Sequence, residues 1–142
     1  MRIRLTVVFV ASLGLGAIFG QEVPKIKKVP LVSTNPGDGK EMFTTYCAVC
    51  HGMDATGHGP AAPALKKEPA DLTQLTIKNN GRFPEQRIAL VLNSGPAEML
   101  SHGSKDMPVW GQLFKSLGSN SDGVVRLRIT NLTEYIKSIQ RK

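Results

Sequence analysis

The sequence predicts an all-α domain with long loops, and three observations carry that prediction. No internal repeat and no convincing strand stand out along the chain. Near the C-terminus, Val125, Ile129, Leu132, Ile136 and Ile139 recur at three- and four-residue steps, the spacing of one helix face. Between the helical segments lie stretches dense in Gly and Pro, which interrupt regular structure.

The elements follow in chain order. Arg2 and Arg4 precede an uncharged apolar stretch from Leu5 to Phe19 that ends among small residues, the pattern of an export signal. At 16 residues through Gly20 the stretch is shorter than the roughly 20 a membrane span needs. Residues 1–20 are therefore expected to be a cleaved signal peptide, cut after Gly16, Ala17 or Gly20, with an uncleaved membrane anchor as the alternative. The mature chain is expected in the periplasm or secreted. Residues 21–36, with three prolines, three lysines and no hydrophobic period, read as an extended tether. The domain proper is expected over 37–142.

A helix is expected from Asp38 to about Ala48 or Cys50. Asp38 caps it, Glu41 stands three residues on as in a capping box, and Phe43 and Cys47 share a face. Residues 52–71 hold three Gly and three Pro and read as loop. A loop that long in a compact domain usually has a functional reason. The segment from Asp71 to Gly81 is expected to make a helical turn or two. Pro84 opens a helix through about Asn93, and a short helix lies between Pro108 and Leu117, ended by Gly118. Asp122 is expected to cap the last helix, with Arg141 and Lys142 at its C-terminal end.

Composition narrows the function. The 142 residues suffice for one domain. One Trp, two Tyr and five Phe are few rings for a core, which therefore relies on aliphatics or on a large apolar group wrapped by the chain. The net charge of +7 falls to +5 when residues 1–20, with Arg2, Arg4 and no acid, are removed. A basic chain suits nucleic acid, an anionic membrane or an acidic protein partner. Export argues against nucleic acid, and no stretch interleaves basic and aromatic residues.

Cys47-Ala48-Val49-Cys50-His51 is a C-x-x-C-H sequence, the attachment signature of c-type haem. Two thiols three residues apart on one turn match the two vinyl groups along a haem edge, and the following imidazole is carried over the ring to the iron. A thioredoxin-like pair would need a βαβ setting, and a zinc site would need two further ligands that no second C-x-x-C or H-x₃₋₅-H supplies. One haem c per chain is thus expected, held by Cys47 and Cys50, with His51 as an axial ligand.

The other axial position has several candidates: Met42, Met53, His58, Met99, His102 and Met107. Met42 and Met53 flank the attachment motif too closely to reach the opposite ring face. His58 lies in a Gly-rich loop and reads as an exposed polar residue. Met99 and His102 remain open by reach. Met107 is favoured, because Pro108 stiffens its backbone and Trp110 follows as a shielding ring.

CAVCH, then Gly59-Pro60-Ala61-Ala62-Pro63-Ala64-Leu65, then Asp106-Met107-Pro108-Val109-Trp110-Gly111 together resemble the class I cytochrome c family, and in particular small bacterial periplasmic monohaem cytochromes with an HGS-x-x-MPVWG segment. The resemblance spans roughly residues 37–140. It implies N- and C-terminal helices crossing around one covalently attached haem, through a small residue and aromatics for which Gly39, Phe43, Leu132 and Tyr135 have the spacing. It implies that Met107 is the sixth ligand and His102 is not. It further implies that Pro63 offers its backbone carbonyl to the His51 imidazole, with Pro60 as the competing assignment.

His/Met ligation leaves no open iron position, so the expected role is single-electron transfer with redox protein partners, and no enzymatic activity. Two alternatives stay open: a haem-bearing subunit of an oxidase or dehydrogenase, and a haem protein that binds small gases or acts as a weak peroxidase. Lys66, Lys67, Lys78, Arg82 and Lys105 fall in loops expected to border the haem, where an acidic partner surface would dock.

Overall fold

A computed structural model of the chain describes residues 30–95, 106–117 and 121–142. The export signal, Met99, His102, Lys105 and Gly118 lie outside the described residues. Within them there are helices and turns and no strand.

The first helical region has three parts. Helix α1 (Gly39–Met42) passes into a π-helical turn over Phe43–Cys47, and α2 (Ala48–His51) completes it. Asp38 caps the start, its carboxylate accepting from the Glu41 N–H at 2.8 Å. Glu41 does not close the expected capping box. Its carboxylate accepts instead from the Asn35 N–H at 3.0 Å, while the Asp38 N–H donates to the Asn35 carbonyl. The π turn widens the hydrogen-bond ring, with the Ala48 N–H reaching back to Phe43 O. Such turns interrupt helices mainly at functional positions, and here one ends on Cys47.

Two 3₁₀ turns, Leu72–Gln74 and Ile77–Asn79, fill the segment expected to make a turn or two. Asn80 follows in the left-handed region and Gly81 at φ +79°, which ends the second turn. Helix α3 (Glu85–Ser94) starts after Pro84, α4 (Trp110–Ser116) follows Pro108, and α5 (Asp122–Ser138) is the longest. Asp122 is the first helical residue of α5 rather than its cap; its carboxylate pairs with Lys115 at 2.8 Å and so ties α5 to α4. Arg141 and Lys142 lie beyond the helix, and Lys137 is the basic residue of its last turn. The Arg141 N–H donates to Thr73 O, and the Gln140 side-chain amide donates to Leu72 O and accepts from the Thr76 N–H. The chain end therefore clamps the 3₁₀ turns.

The first and last helices cross. A Cβ on Gly39 would stand 2.1 Å from the Asn131 carbonyl oxygen and 2.8 Å from Tyr135 Cβ, so the backbones meet where only glycine fits. Phe43 and Tyr135 flank this point with ring centroids 5.3 Å apart, and Leu132 is wholly buried beside them. Burial of one such leucine stabilises by about 1.5–3 kcal/mol. Val125, Ile129, Leu132 and Ile136 face inward as the spacing predicted, with Ile139 partly buried. Helices α3 and α4 pack against α5, and Tyr46, Trp110 and Phe114 form a cluster of rings with centroids 5.5 to 5.8 Å apart.

Residues 30–35 form neither helix nor strand, Pro36 stands in a turn, and the segment is fastened to the domain. The Tyr46 hydroxyl donates to Val32 O, Arg128 donates to Thr34, and the Asn131 amide donates to Pro36 O.

Candidate functional site

Cys47, Cys50 and His51 face a mostly apolar cavity of about 440 Å³, and Met107 faces the same cavity. Cofactor-sized clefts run to roughly 300–1,000 Å³. Its apolar wall includes Leu72, Leu75, Val91 and Ile136 from three parts of the chain.

The His51 end is built by backbone. The loop after His51 turns under α2 and satisfies the carbonyls that a helix end leaves free. Gly57 N–H donates to His51 O, Gly59 N–H to Cys50 O and Ala61 N–H to Val49 O, all within 2.8–3.0 Å. A Cβ on Gly59 would sit 2.5 Å from Val49 O, so the loop can lie this close only through glycine. The long Gly- and Pro-rich segment thus holds the attachment helix in place.

The His51 Nδ1 lies 3.0 Å from the Ala70 carbonyl oxygen. A carbonyl only accepts, so Nδ1 carries the proton and the neutral ring keeps its Nε2 lone pair free to bind a metal. Burial lowers the His51 pKa, partly opposed by this hydrogen bond, and favours the neutral form a ligand needs. The partner is thus Ala70 and neither Pro63 nor Pro60. Pro63 sits in the 3₁₀ turn Ala62–Ala64, and the chain makes seven further residues before a carbonyl reaches the imidazole. Asp71, capping the turn that follows Ala70, fixes that carbonyl by accepting from Thr73 N–H and Oγ1.

Both thiols are held above their ordinary value, unlike the activated pair of a thiol redox site. Burial and then the neighbouring Cys50 push the Cys47 thiol up to about 12. Burial, followed by the Asp106 carboxylate, raises Cys50. Catalytic C-x-x-C thiols are instead depressed, by positive surroundings or a helix N-terminus.

The remaining candidates separate by position. Met42 is fully buried in the core and Met53 is exposed. His58 is an exposed residue bound to Thr56 Oγ1 at 3.0 Å and to Glu68 at 3.4 Å, away from the cavity. Trp110 is buried at the cavity wall as a shielding ring, and Asp106 fastens the Met107 segment to the opposite loop by accepting from Lys66 N–H at 3.0 Å. No cluster of metal-binding His, Cys, Asp or Glu exists among the described residues.

A family model for cytochrome c matches residues 37–140. The chain belongs to the cytochrome c family. Comparisons with curated proteins and with solved structures each return no match. As a cytochrome c domain it binds haem and transfers electrons, which requires redox partners, and members of the family are typically electron carriers. The Cys47/Cys50 pair on the wall of a cofactor-sized apolar cavity fits covalent haem c. None of the described helices is long and apolar enough to cross a membrane.

Sequence reasoning missed Tyr46, Ala70 and Arg128. Tyr46 could have been found from its place beside Cys47. Ala70 contributes only a backbone carbonyl, which no residue type announces. Arg128 lies on an otherwise amphipathic helix, where a basic residue ordinarily reads as solvated.

Proposed function

We propose that this cytochrome c is an exported single-electron carrier whose haem iron is ligated by His51 and Met107. The observation that carries the reading is that both side chains and both cysteines line one apolar cavity. Bound haem supplies reversible one-electron chemistry between ferric and ferrous iron. The chain's own residues do the rest. Cys47 and Cys50 hold the ring by thioether bonds. The Ala70 carbonyl orients His51 and strengthens its donation to a metal. Met107 supplies a weak thioether donor, which favours the reduced state relative to stronger ligand pairs. Trp110 and the leucines of the wall exclude water.

Among the described residues lining the cavity are Lys67, Lys78 and Arg87, with Glu68 and Asp106. This basic excess supports docking by acidic surfaces of redox partners, with charge raising the encounter rate. The N-terminal pattern of Arg2, Arg4 and the apolar run supports cleavage near residue 20 and a periplasmic or secreted mature protein.

Absorption spectra of the purified holoprotein test the ligation. The ferric form is expected to show the weak long-wavelength band of methionine sulfur on iron, and Met107→Ala to lose it and to admit cyanide. A band that survives Met107→Ala but disappears in Met99→Ala reassigns the ligand. N-terminal sequencing of the exported protein tests cleavage.

A further inference from the structure

Arg128 is 4% exposed, and among the described residues it pairs with no carboxylate. Its guanidinium donates to Thr34 Oγ1 and Thr34 O, each at 2.8 Å, and lies 5.7 Å from the centre of the Phe114 ring. Among the described residues its Nε has no hydrogen-bond partner. Arginine keeps its charge in proteins, so a full positive charge is buried here, and its contacts among the described residues are dipoles and a ring face. Such a group costs stability in most settings, and a hydrophobic residue of similar volume is commonly as stable or more so. Its presence calls for a use.

The hydrogen bonds around it run in one direction. The Tyr46 hydroxyl has one proton, and it goes to Val32 O at 2.6 Å. The Thr34 hydroxyl, 3.0 Å from the Tyr46 oxygen, must therefore donate to it, while accepting from Arg128. The chain Arg128 to Thr34 to Tyr46 to Val32 is thus polarised by the cation at its head. Tyr46 lines the haem cavity, as does Trp110, whose ring centroid is 5.6 Å from that of Phe114. One layer of rings separates the buried charge from the cavity wall, and little water screens it.

We propose that Arg128 is an electrostatic positioning residue that raises the reduction potential of the haem, acting from behind Phe114 and through the Thr34–Tyr46 hydrogen-bond chain. Ferric haem carries one more positive charge than ferrous haem. A buried cation nearby disfavours the ferric state, so its removal lowers the potential. The proposal rests on haem occupying the cavity and is independent of which residue is the sixth ligand.

The test is the equilibrium potential of the holoprotein, by redox titration followed in the visible spectrum. Arg128→Met removes the charge at similar volume, and Arg128→Lys keeps it. Thr34→Asp neutralises the guanidinium in place, and Thr34→Asn controls for the altered shape. Arg128→Met and Thr34→Asp are each expected to shift the equilibrium toward ferric haem about tenfold, which is about 59 mV for a one-electron couple. Arg128→Lys and Thr34→Asn are expected to stay within about threefold of wild type, with the ligand band unchanged in all four. Equal potentials for Thr34→Asp and Thr34→Asn overturn the proposal, as does an unshifted Arg128→Met. If Arg128→Met does not accumulate, the Thr34 pair decides alone.

Discussion

Gly39→Ala adds one methyl group at the point where α1 meets α5. An ideal Cβ there lies 2.1 Å from the Asn131 carbonyl oxygen, 2.8 Å from its carbon and 2.8 Å from Tyr135 Cβ. Two of these atoms are backbone and the third is a Cβ, so no flexible side chain can swing aside. The helices must part by on the order of 1 Å, and a gap of that size forfeits a quarter to a half of each contact's dispersion energy. Phe43, Tyr135 and Leu132 would all lose contact together. Overpacking of this kind costs about 1–3 kcal/mol, while the better helix propensity of alanine returns at most about 1 kcal/mol. A net loss of about 1 kcal/mol lowers Tm by roughly 5 °C for a domain of this size. Gly123→Ala is the internal control. It lies in the first turn of α5, where among the described residues a Cβ meets only Ser121 Oγ at 3.4 Å, and the change is expected to stabilise by about 0.4–1 kcal/mol. Denaturant unfolding of the two holoproteins, followed by far-ultraviolet circular dichroism, compares them directly. A Gly39→Ala protein as stable as Gly123→Ala would refute the close-crossing argument.

Three further outcomes are expected. Haem should remain on the polypeptide through acid-acetone extraction, and Cys47→Ala should leave one thioether and lower the yield of holoprotein; complete release of haem from the wild type would contradict covalent attachment. Asp71 is held below the usual carboxylate range: burial would raise it, but hydrogen bonds from Thr73 and Gln74, with Arg141 nearby, outweigh that. A depressed carboxylate contributes stability above its unfolded pKa of about 3.9 and loses it as pH falls through the folded value, so acid unfolding measured from pH 5 to 2 should be shallower in Asp71→Asn than in wild type. Stopped-flow reduction by an acidic redox protein should slow as salt rises, with a Debye length of roughly 10 Å at 0.1 M, and should slow at low salt in Lys66→Glu/Lys67→Glu; rates flat across ionic strength would exclude electrostatic steering.

The sequence by itself determined what is local and repetitive. C-x-x-C-H spaces two thiols and an imidazole at i, i+3 and i+4, and Val125, Ile129, Leu132 and Ile136 repeat at helical spacing, so the attachment motif and the buried face of α5 are legible from local spacing. Tertiary structure decided everything that depends on which distant groups meet. The His51 imidazole takes the Ala70 carbonyl rather than that of Pro63, because the path of the loop sets which carbonyl arrives and every residue carries one. Glu41 bonds Asn35 instead of closing its capping box, because residues 30–36 fold back onto the domain and offer a nearer donor. Arg128 is buried although a basic side chain ordinarily reads as solvated, because residues 30–36 lie against it and Thr34 supplies the oxygens that make a desolvated guanidinium tolerable.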